Sequence, residues 1–243
     1  MGLVVTGGTG GIGRAVVERK RESDVVFSYH RDEDGASELV ADTDAETATT
    51  QALQLDVTDA DSVEAFAEEA TATLDTVDGV VHTVGIVEPE LLEQSTDDQW
   101  SRVIETNLIG SARVARAFLP ALRESSGSLV FLSSVGGTAG TVDTSYAASK
   151  SGLHGLVRAL AREVGPDGVR VNALAPGPVE TSMNGTIVDY LESTAFLGHE
   201  NVDTHLPTYA CAPEEVAQSV TYLLDSSFTH GEILNVNGGM HFR

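Results

Sequence analysis

The sequence predicts an α/β fold, a doubly wound parallel sheet of seven strands with helices on both faces. Three observations predict it. Short β-rich runs alternate with helical patterns, most of these runs are apolar at every position, and a glycine-rich turn joins the first run to a helix. Continuously apolar strands are typical of sheets covered on both faces, and strand–helix alternation produces parallel βαβ units. The 243 residues suffice for one core, so we expect a single domain over 1–243.

Strand and helix candidates follow one another along the chain. The strands are predicted at 3–6, 25–29, 52–56, 79–84, 128–133, 169–175 and 233–236. Helical periodicity covers 12–22, 59–74, 97–122, 145–164 and 213–224. The segment 176–209 carries only a short helical candidate, 186–194. Long irregular segments in compact domains are often lids, so we expect a substrate lid at about 182–209.

The net charge is strongly negative. The chain has 37 acidic residues against 14 basic ones, a formal charge of −23, and only two of the bases are lysines. Nucleic acids and anionic membranes bind basic patches, so neither is an expected partner. Such an excess of acids repels itself unless salt screens it. We therefore expect a protein adapted to a salt-rich cytoplasm; the alternative is an ordinary acidic protein.

Cysteine and histidine content argues against metal chemistry. Cys211 is the only cysteine, which excludes an internal disulfide and a cysteine-built zinc site. His199 and His205 flank acidic residues but belong to no recognisable ligand set, so no metal is expected. Apolar runs are too short to span a membrane, and the N-terminus has no signal-peptide pattern. A cytoplasmic location is expected.

The turn after the first strand is rich in glycine. It reads Thr6-Gly7-Gly8-Thr9-Gly10-Gly11-Ile12-Gly13 and leads directly into a helix. Glycines in this context let backbone amides approach a pyrophosphate at the helix N-terminus. The turn therefore predicts a Rossmann-like dinucleotide site, although a merely flexible turn has a similar composition.

The residues after the second strand bear on which dinucleotide binds. A carboxylate there would hold the ribose 2′-hydroxyl of NAD, but Tyr29, His30 and Arg31 follow instead. This favours the 2′-phosphate of NADP, unless Arg31 only pairs with a neighbouring acid, Asp32 or Asp34.

After the third strand, Asp56 is expected either to accept a hydrogen bond from adenine or to act as an N-cap.

Tyr146 and Lys150 lie four residues apart and share a helix face. A nearby ammonium lowers the pKa of a phenol, which can then exchange a proton with an alcohol or carbonyl oxygen. The alternative is a surface aromatic beside a solvated lysine. Upstream, a strand ends in Ser133 and Ser134, at the sheet edge where ligands of parallel sheets bind.

These motifs together resemble the single-domain branch of the short-chain dehydrogenase/reductase family, and within it the 3-oxoacyl-carrier-protein reductases. TGxxxGxG lies at 6–13, YxxxK at 146–150, PGxxxT at 176–181 and NVNGGM at 235–240. The resemblance implies that Tyr146 is the acid/base and that Lys150 binds the nicotinamide ribose and lowers the tyrosine pKa. It further implies that Ser134 positions the carbonyl and Asn107 supports a proton-relay water. Implied cofactor contacts are Thr6, Gly7, Thr9, Gly11, Ile12, Gly13, His30, Arg31, Asp56, Val57, Gly85, Tyr146, Lys150, Pro176, Gly177, Val179 and Thr181.

Three departures from the family pattern leave alternatives. The NNAG segment is replaced by His82-Thr83-Val84-Gly85, in which only the glycine remains. The interval from Ser134 to Tyr146 is one residue shorter than usual, so Ser133 is a rival catalytic serine. The glycine turn also fits the TGxxGxxG of the extended, epimerase-like branch.

The predicted function is an NADP-dependent oxidoreductase that interconverts a ketone and a secondary alcohol, with a 3-oxoacyl thioester as the candidate substrate. The alternatives are an NAD-dependent sugar or polyol dehydrogenase and, from another class, a non-catalytic NADP-binding sensor. The lid segment has no Lys or Arg to bind an anionic substrate. By family analogy, the helices at 97–122 and 145–164 would pack against partner subunits in a homodimer or homotetramer.

Overall fold

One parallel sheet organises the structure. The computed structural model describes residues 1–43, 48–141, 143–193 and 205–241. Its seven strands all run parallel in the order β3-β2-β1-β4-β5-β6-β7. They are β1 (Gly2–Thr6), β2 (Asp24–Tyr29), β3 (Thr50–Gln54), β4 (Gly79–His82), β5 (Ser128–Leu132), β6 (Arg170–Pro176) and β7 (Ile233–Val236). The predicted fold class is confirmed.

Helices cover both faces of this sheet. They are α1 (Gly11–Arg19), α2 (Glu33–Thr43), α3 (Ala60–Thr73), α4 (Asp97–Ile104), α5 (Gly110–Ser125), α6 (Gly136–Ala139), α7 (Thr144–Val164), α8 (Ser182–Ser193) and α9 (Pro213–Asp225). Helices α3, α5 and α7 pack on one face and α1, α2 and α9 on the other, each through its own apolar cluster. Side chains of a strand point alternately to the two faces of the sheet, and helices cover both faces. Every position of strands such as β1 and β5 is therefore buried, and their sequences are largely apolar.

The strand order reverses between β1 and β4, which are neighbours although two strands separate them in sequence. In doubly wound sheets the crevice beyond the carboxyl ends of the strands at this switch point is where ligands bind. The ends of β1, β4 and β5 are therefore the expected place for a site.

Several elements differ from the sequence prediction, and the short helix α6 was not predicted at all. Helix α2 was not predicted, because its periodicity is weak; it is fixed locally by Asp32, whose carboxylate accepts the Gly35 amide at 3.1 Å. The predicted helix 97–122 continues to Ser125 but contains a π-helical turn, Glu105–Ile109, which separates α4 from α5. Helix α8 is longer than its candidate 186–194.

The expected lid is only partly described. Residues 182–193 form α8, and 205–209 are also described, whereas 194–204, which include His199, lie outside the described residues. In the described part of the chain, no helix is long and apolar enough to cross a membrane. Nor do the described His, Cys, Asp and Glu residues form a group able to hold a metal ion.

Candidate active site

A cleft of about 1310 Å³ opens at the carboxyl edge of the sheet, along the switch point. The glycine turn lines one end, the ends of β4, β5 and β6 line its floor, and α8 borders the other side. All of the predicted site residues line it except two, Thr6 and Asn107.

The glycine turn brings the N-terminus of α1 to the cleft. Gly7 has a φ of 78°, and a Cβ at Gly13 would lie 2.1 Å from the Gly7 carbonyl oxygen, so the turn packs against the first helical residues. The N-cap of α1 is Gly10, and no side chain caps the helix. The amides of its first turn are thus left for an anionic group, which fits the pyrophosphate of a dinucleotide.

Thr6, a predicted cofactor contact, is not among the residues that line the cleft. Its side chain is fully buried and shares a hydrogen bond of 2.7 Å with His82 Nδ1. Burial lowers the pKa of His82 to about 3, so the imidazole is neutral and joins the ends of β1 and β4. The Thr6 side chain therefore links the ends of two neighbouring strands.

Arg31 lies exposed at the far end of the cleft. Among the described residues, neither Asp32 nor Asp34 forms an ion pair with Arg31, so neither of the two predicted alternative pairs is present. The charge of Arg31 instead acts on Asp56 and helps to lower the pKa of that carboxyl. Asp56 accepts hydrogen bonds from the amide and hydroxyl of Thr58, which lower its pKa, and its Oδ2 lies 3.7 Å from His30 Nε2. Asp56 thus stabilises the turn before α3 while also facing the cleft.

Tyr146 and Lys150 lie side by side on α7 and are both buried. The Lys150 Nζ atom is 5.6 Å from the centre of the Tyr146 ring and donates a hydrogen bond of 2.8 Å to the Leu132 carbonyl. Burial raises the pKa of Tyr146 to about 12 and lowers the pKa of Lys150 to about 8. Desolvation is the largest cause of the Tyr146 shift, and the expected lowering of the phenol pKa by Lys150 stays a prediction.

The two serines after β5 face different partners. Ser134 lies in the cleft with Tyr146 and near enough to its phenol to lower the pKa of the tyrosine, and the Ser134 Oγ accepts the Gly136 amide at 3.0 Å. Ser133 instead shares a hydrogen bond of 2.7 Å with Nε2 of His154. The geometry thus favours Ser134 over its rival as the serine beside the reacting group.

Asn107 lies in the π-helical turn and is fully buried beside the cleft. Its side chain accepts the Ile86 amide at 2.8 Å and donates to the Ile86 carbonyl and to Ser149. A Cβ at Gly85 would lie 3.2 Å from Lys150 Nζ and 3.4 Å from Asn107 Oδ1. This close approach explains why Gly85 is the residue of NNAG that remains.

The segment after β6 lies beside the glycine turn at the cleft. Pro176, Gly177 and Val179 line the cleft, and Thr181 comes so near α1 that a Cβ at Gly11 would lie 2.7 Å from its methyl group. The predicted PGxxxT segment and the glycine turn therefore meet along one cleft.

Several residues in or beside the cleft were missed by sequence analysis. Asp143 caps α7, and its buried carboxylate accepts the amides of Tyr146 and Glu88 at 2.9 Å each. Its position three residues before the tyrosine is an N-cap signal that the sequence contained. Helix α8 turns an apolar stripe with four-residue spacing into the cleft: Met183, Ile187 and Leu191.

A glycine-lined anion site next to a buried Tyr–Lys pair defines a class of dinucleotide-dependent oxidoreductases. Residues 7–241 match a family model described as enoyl-(acyl carrier protein) reductase. The chain belongs to the short-chain dehydrogenase/reductase family, as its motifs predicted, and is an enzyme of that family.

Relatives of known activity are similar to this chain over nearly their whole length. The chain is 36% identical to acetoacetyl-CoA reductase of Synechocystis sp. over 98% of its length and 95% of the relative. It is 34% identical to the 3-oxoacyl-(acyl-carrier-protein) reductase FabG of Escherichia coli, over 98% and 96%. A solved dehydrogenase/reductase from Sinorhizobium meliloti superimposes with a TM-score of 0.88 at 27% identity, over 99% of this chain and 94% of that one.

Proposed function

We propose that the protein uses NADPH to reduce the ketone of a 3-oxoacyl thioester to a secondary alcohol. The observation that carries the proposal is the meeting of Ser134, Tyr146 and Lys150 in the same cleft as the uncapped N-terminus of α1. The relatives named as acetoacetyl-CoA and 3-oxoacyl reductases support this substrate class.

The residues present fit a nicotinamide dinucleotide. The first-turn amides of α1 would hold its pyrophosphate, Lys150 its nicotinamide ribose, and Thr181 its carboxamide. Arg31, exposed and without an ion pair among the described residues, would pair with a 2′-phosphate, which supports NADP over NAD. When bound, the reduced cofactor supplies the hydride.

Tyr146 is the proposed proton donor. With a pKa of about 12, its hydroxyl is protonated at neutral pH and ready to donate to the ketone oxygen as charge develops there. Ser134 would position that oxygen by a second hydrogen bond. The Lys150 ammonium, 5.6 Å from the ring, would then favour the phenolate left behind, and Asn107 would support the return of the proton through water.

Replacing Tyr146 by Phe tests the assignment. Because the donor is lost while the ring remains, kcat should fall about 10²–10⁴-fold with NADPH affinity nearly unchanged. Ser134→Ala should also be severe and Ser133→Ala much milder. A Phe variant with more than half of wild-type kcat would refute the mechanism, and the reverse order of the serines would assign the role to Ser133.

A substrate panel separates the candidate reactions. Oxidation of NADPH should be fastest with 3-oxoacyl thioesters and slow with sugars and cyclic ketones. The family model description favours one second candidate, reduction of a 2-enoyl thioester, which the same panel includes. Binding of NADPH without turnover of any of these compounds would instead indicate a sensor.

We also propose that the protein assembles as a homodimer or homotetramer through the α4–α5 region and α7. Ile109, at the junction between α4 and α5, is 40% exposed and would be covered by such an interface. Sedimentation equilibrium in concentrated KCl gives the mass, and a single-chain mass of 25.5 kDa would exclude the assembly.

A further inference from the structure

Three consecutive residues at and just after the end of β5 each interact with one side chain of α7. They are Leu132, Ser133 and Ser134. The three side chains are spaced four residues apart and therefore lie on one face of the helix. The pairs are Tyr146 with Ser134, Lys150 with Leu132, and His154 with Ser133. The first two pairs belong to the proposed reaction site, whereas the third has no role in it.

The third pair is buried and specific. His154 is 4% exposed and Ser133 is 6% exposed, and their hydrogen bond between Nε2 and Oγ measures 2.7 Å. The Ser133 hydroxyl also lies 3.4 Å from the Lys150 carbonyl, so it contacts two successive turns of α7. A polar bond in such surroundings is costly to leave unmade, so it fixes both partners strongly.

His154 does not line the cleft and cannot touch a reacting group. It lies eight residues beyond Tyr146, which corresponds to about 12 Å along the helix. Any effect on the reaction must therefore pass through the position of α7. The bond from His154 to Ser133 opposes sliding of α7 along its own axis. It also opposes rotation of α7 about that axis, which would move Tyr146 away from Ser134.

The Lys150 pair is a weaker anchor during the proposed reaction. The same ammonium that donates to the Leu132 carbonyl is also needed for a ribose hydroxyl and for the phenolate. The bond between Ser133 and His154 has no such second use. It can therefore help to keep α7 in register with the end of β5 whatever Lys150 binds.

We propose that His154 is a positioning residue: through Ser133 it sets α7 against β5 and so holds the Tyr146 hydroxyl beside the Ser134 hydroxyl. The inference rests on the proposed roles of Tyr146 and Ser134. Displacement of a reacting group by about 1 Å can cost about 100-fold in rate, so a small shift of the helix is enough to be measured.

Kinetics of four variants test the proposal. In the NADPH assay with the best ketone of the panel, His154→Leu should lower kcat about tenfold with both KM values within about twofold. Ser133→Ala should have the same effect, and the double variant should be no worse than either single one, because the two residues act as one unit. His154→Gln, which keeps an amide able to bond to Ser133, should recover most of the loss.

Val157→Ala is the control for lost stability. Val157 is fully buried on the same helix and contributes to the apolar cluster, so its truncation should lower the melting temperature and leave kcat unchanged. If His154→Leu also keeps at least half of wild-type kcat while it is folded, the proposal is overturned. Additive losses in the double variant overturn it as well.

Crystal structures of the wild type and His154→Leu give a measurement that needs no turnover. The distance from Tyr146 Oη to Ser134 Oγ should increase by about 0.5 Å or more in the variant, the tolerance of a productive site. An unchanged distance overturns the inference. A wild-type protein that reduces no ketone refutes the proposed function, and this distance then still decides whether His154 positions Tyr146.

Discussion

The Lys150 ammonium is buried at an electrostatic cost that should be visible in the pH dependence of stability. Burial lowers its pKa from the ordinary 10.5 to about 8. Between these values the unfolded chain holds a proton that the folded chain has released. The free energy of unfolding contributed by this group therefore rises with pH across the interval and is lost as the pH falls towards 8. Lys150→Met removes the group and with it this dependence.

The magnitude follows from the two pKa values. A difference of about 2.5 units corresponds to about 3 kcal/mol in the free energy of unfolding. The variant also leaves the Leu132 carbonyl without its donor, which costs about 1–3 kcal/mol at every pH. At pH 7 the two effects oppose each other, and the variant should be from about equally stable to about 2 kcal/mol more stable than the wild type. From pH 7 to pH 10.5, however, the wild type should gain about 3 kcal/mol relative to Lys150→Met.

Urea denaturation followed by circular dichroism at fixed KCl concentration measures this difference. Lys20→Met, which removes the only other lysine, is the matched control; its ammonium lies 3.7 Å from the exposed Asp225. Parallel stability curves for the wild type and Lys150→Met would refute the reasoning that the Lys150 ammonium is desolvated. If Lys20→Met changed the pH dependence of the free energy of unfolding as much as Lys150→Met does, the effect would not arise in the cleft.

Three further outcomes are expected. Arg31→Ala should lower kcat/KM with NADPH about tenfold and leave kcat/KM with NADH within about twofold. The loss is modest because a charge-assisted hydrogen bond contributes least when it is exposed, as at Arg31. Equal losses with both cofactors would exclude a role of Arg31 in cofactor choice. Gly13→Ala should weaken NADPH binding, measured by cofactor fluorescence, far more than Gly10→Ala, because the new Cβ would lie 2.1 Å rather than 3.3 Å from the Gly7 carbonyl. The melting temperature should rise by about 10 °C or more from low salt to 2–3 M KCl as the charge of −23 is screened; a flat profile would leave the acidic composition without this explanation.

Local spacing determined much of the fold and of the cofactor site. The alternation of strands and helices predicted the doubly wound sheet because each βαβ unit is formed by consecutive segments of the chain. The turn from Gly7 to Gly13 was recognisable for the same reason, since a strand, a turn and a helix N-terminus follow one another directly. The spacing of Tyr146 and Lys150 likewise predicted one helix face, which α7 provides.

Weak or interrupted periodicity concealed other elements. Helix α2 has an acidic first turn and few buried side chains, so its sequence resembles a solvated loop. The π-helical turn at Glu105–Ile109 inserts one extra residue per turn, which a periodicity of 3.6 residues does not indicate. That turn nevertheless directs Asn107 inward to Ile86.

The sequence by itself determined which residues share a strand, a turn or a helix face, because those relations depend only on spacing along the chain. Only the tertiary structure decided that Thr6 bonds to His82, that Ser133 pairs with His154 while Ser134 faces Tyr146, and how burial moves the pKa values of the cleft residues. These relations join segments far apart in sequence. Desolvation in particular depends on everything packed around a group, and no local pattern records it.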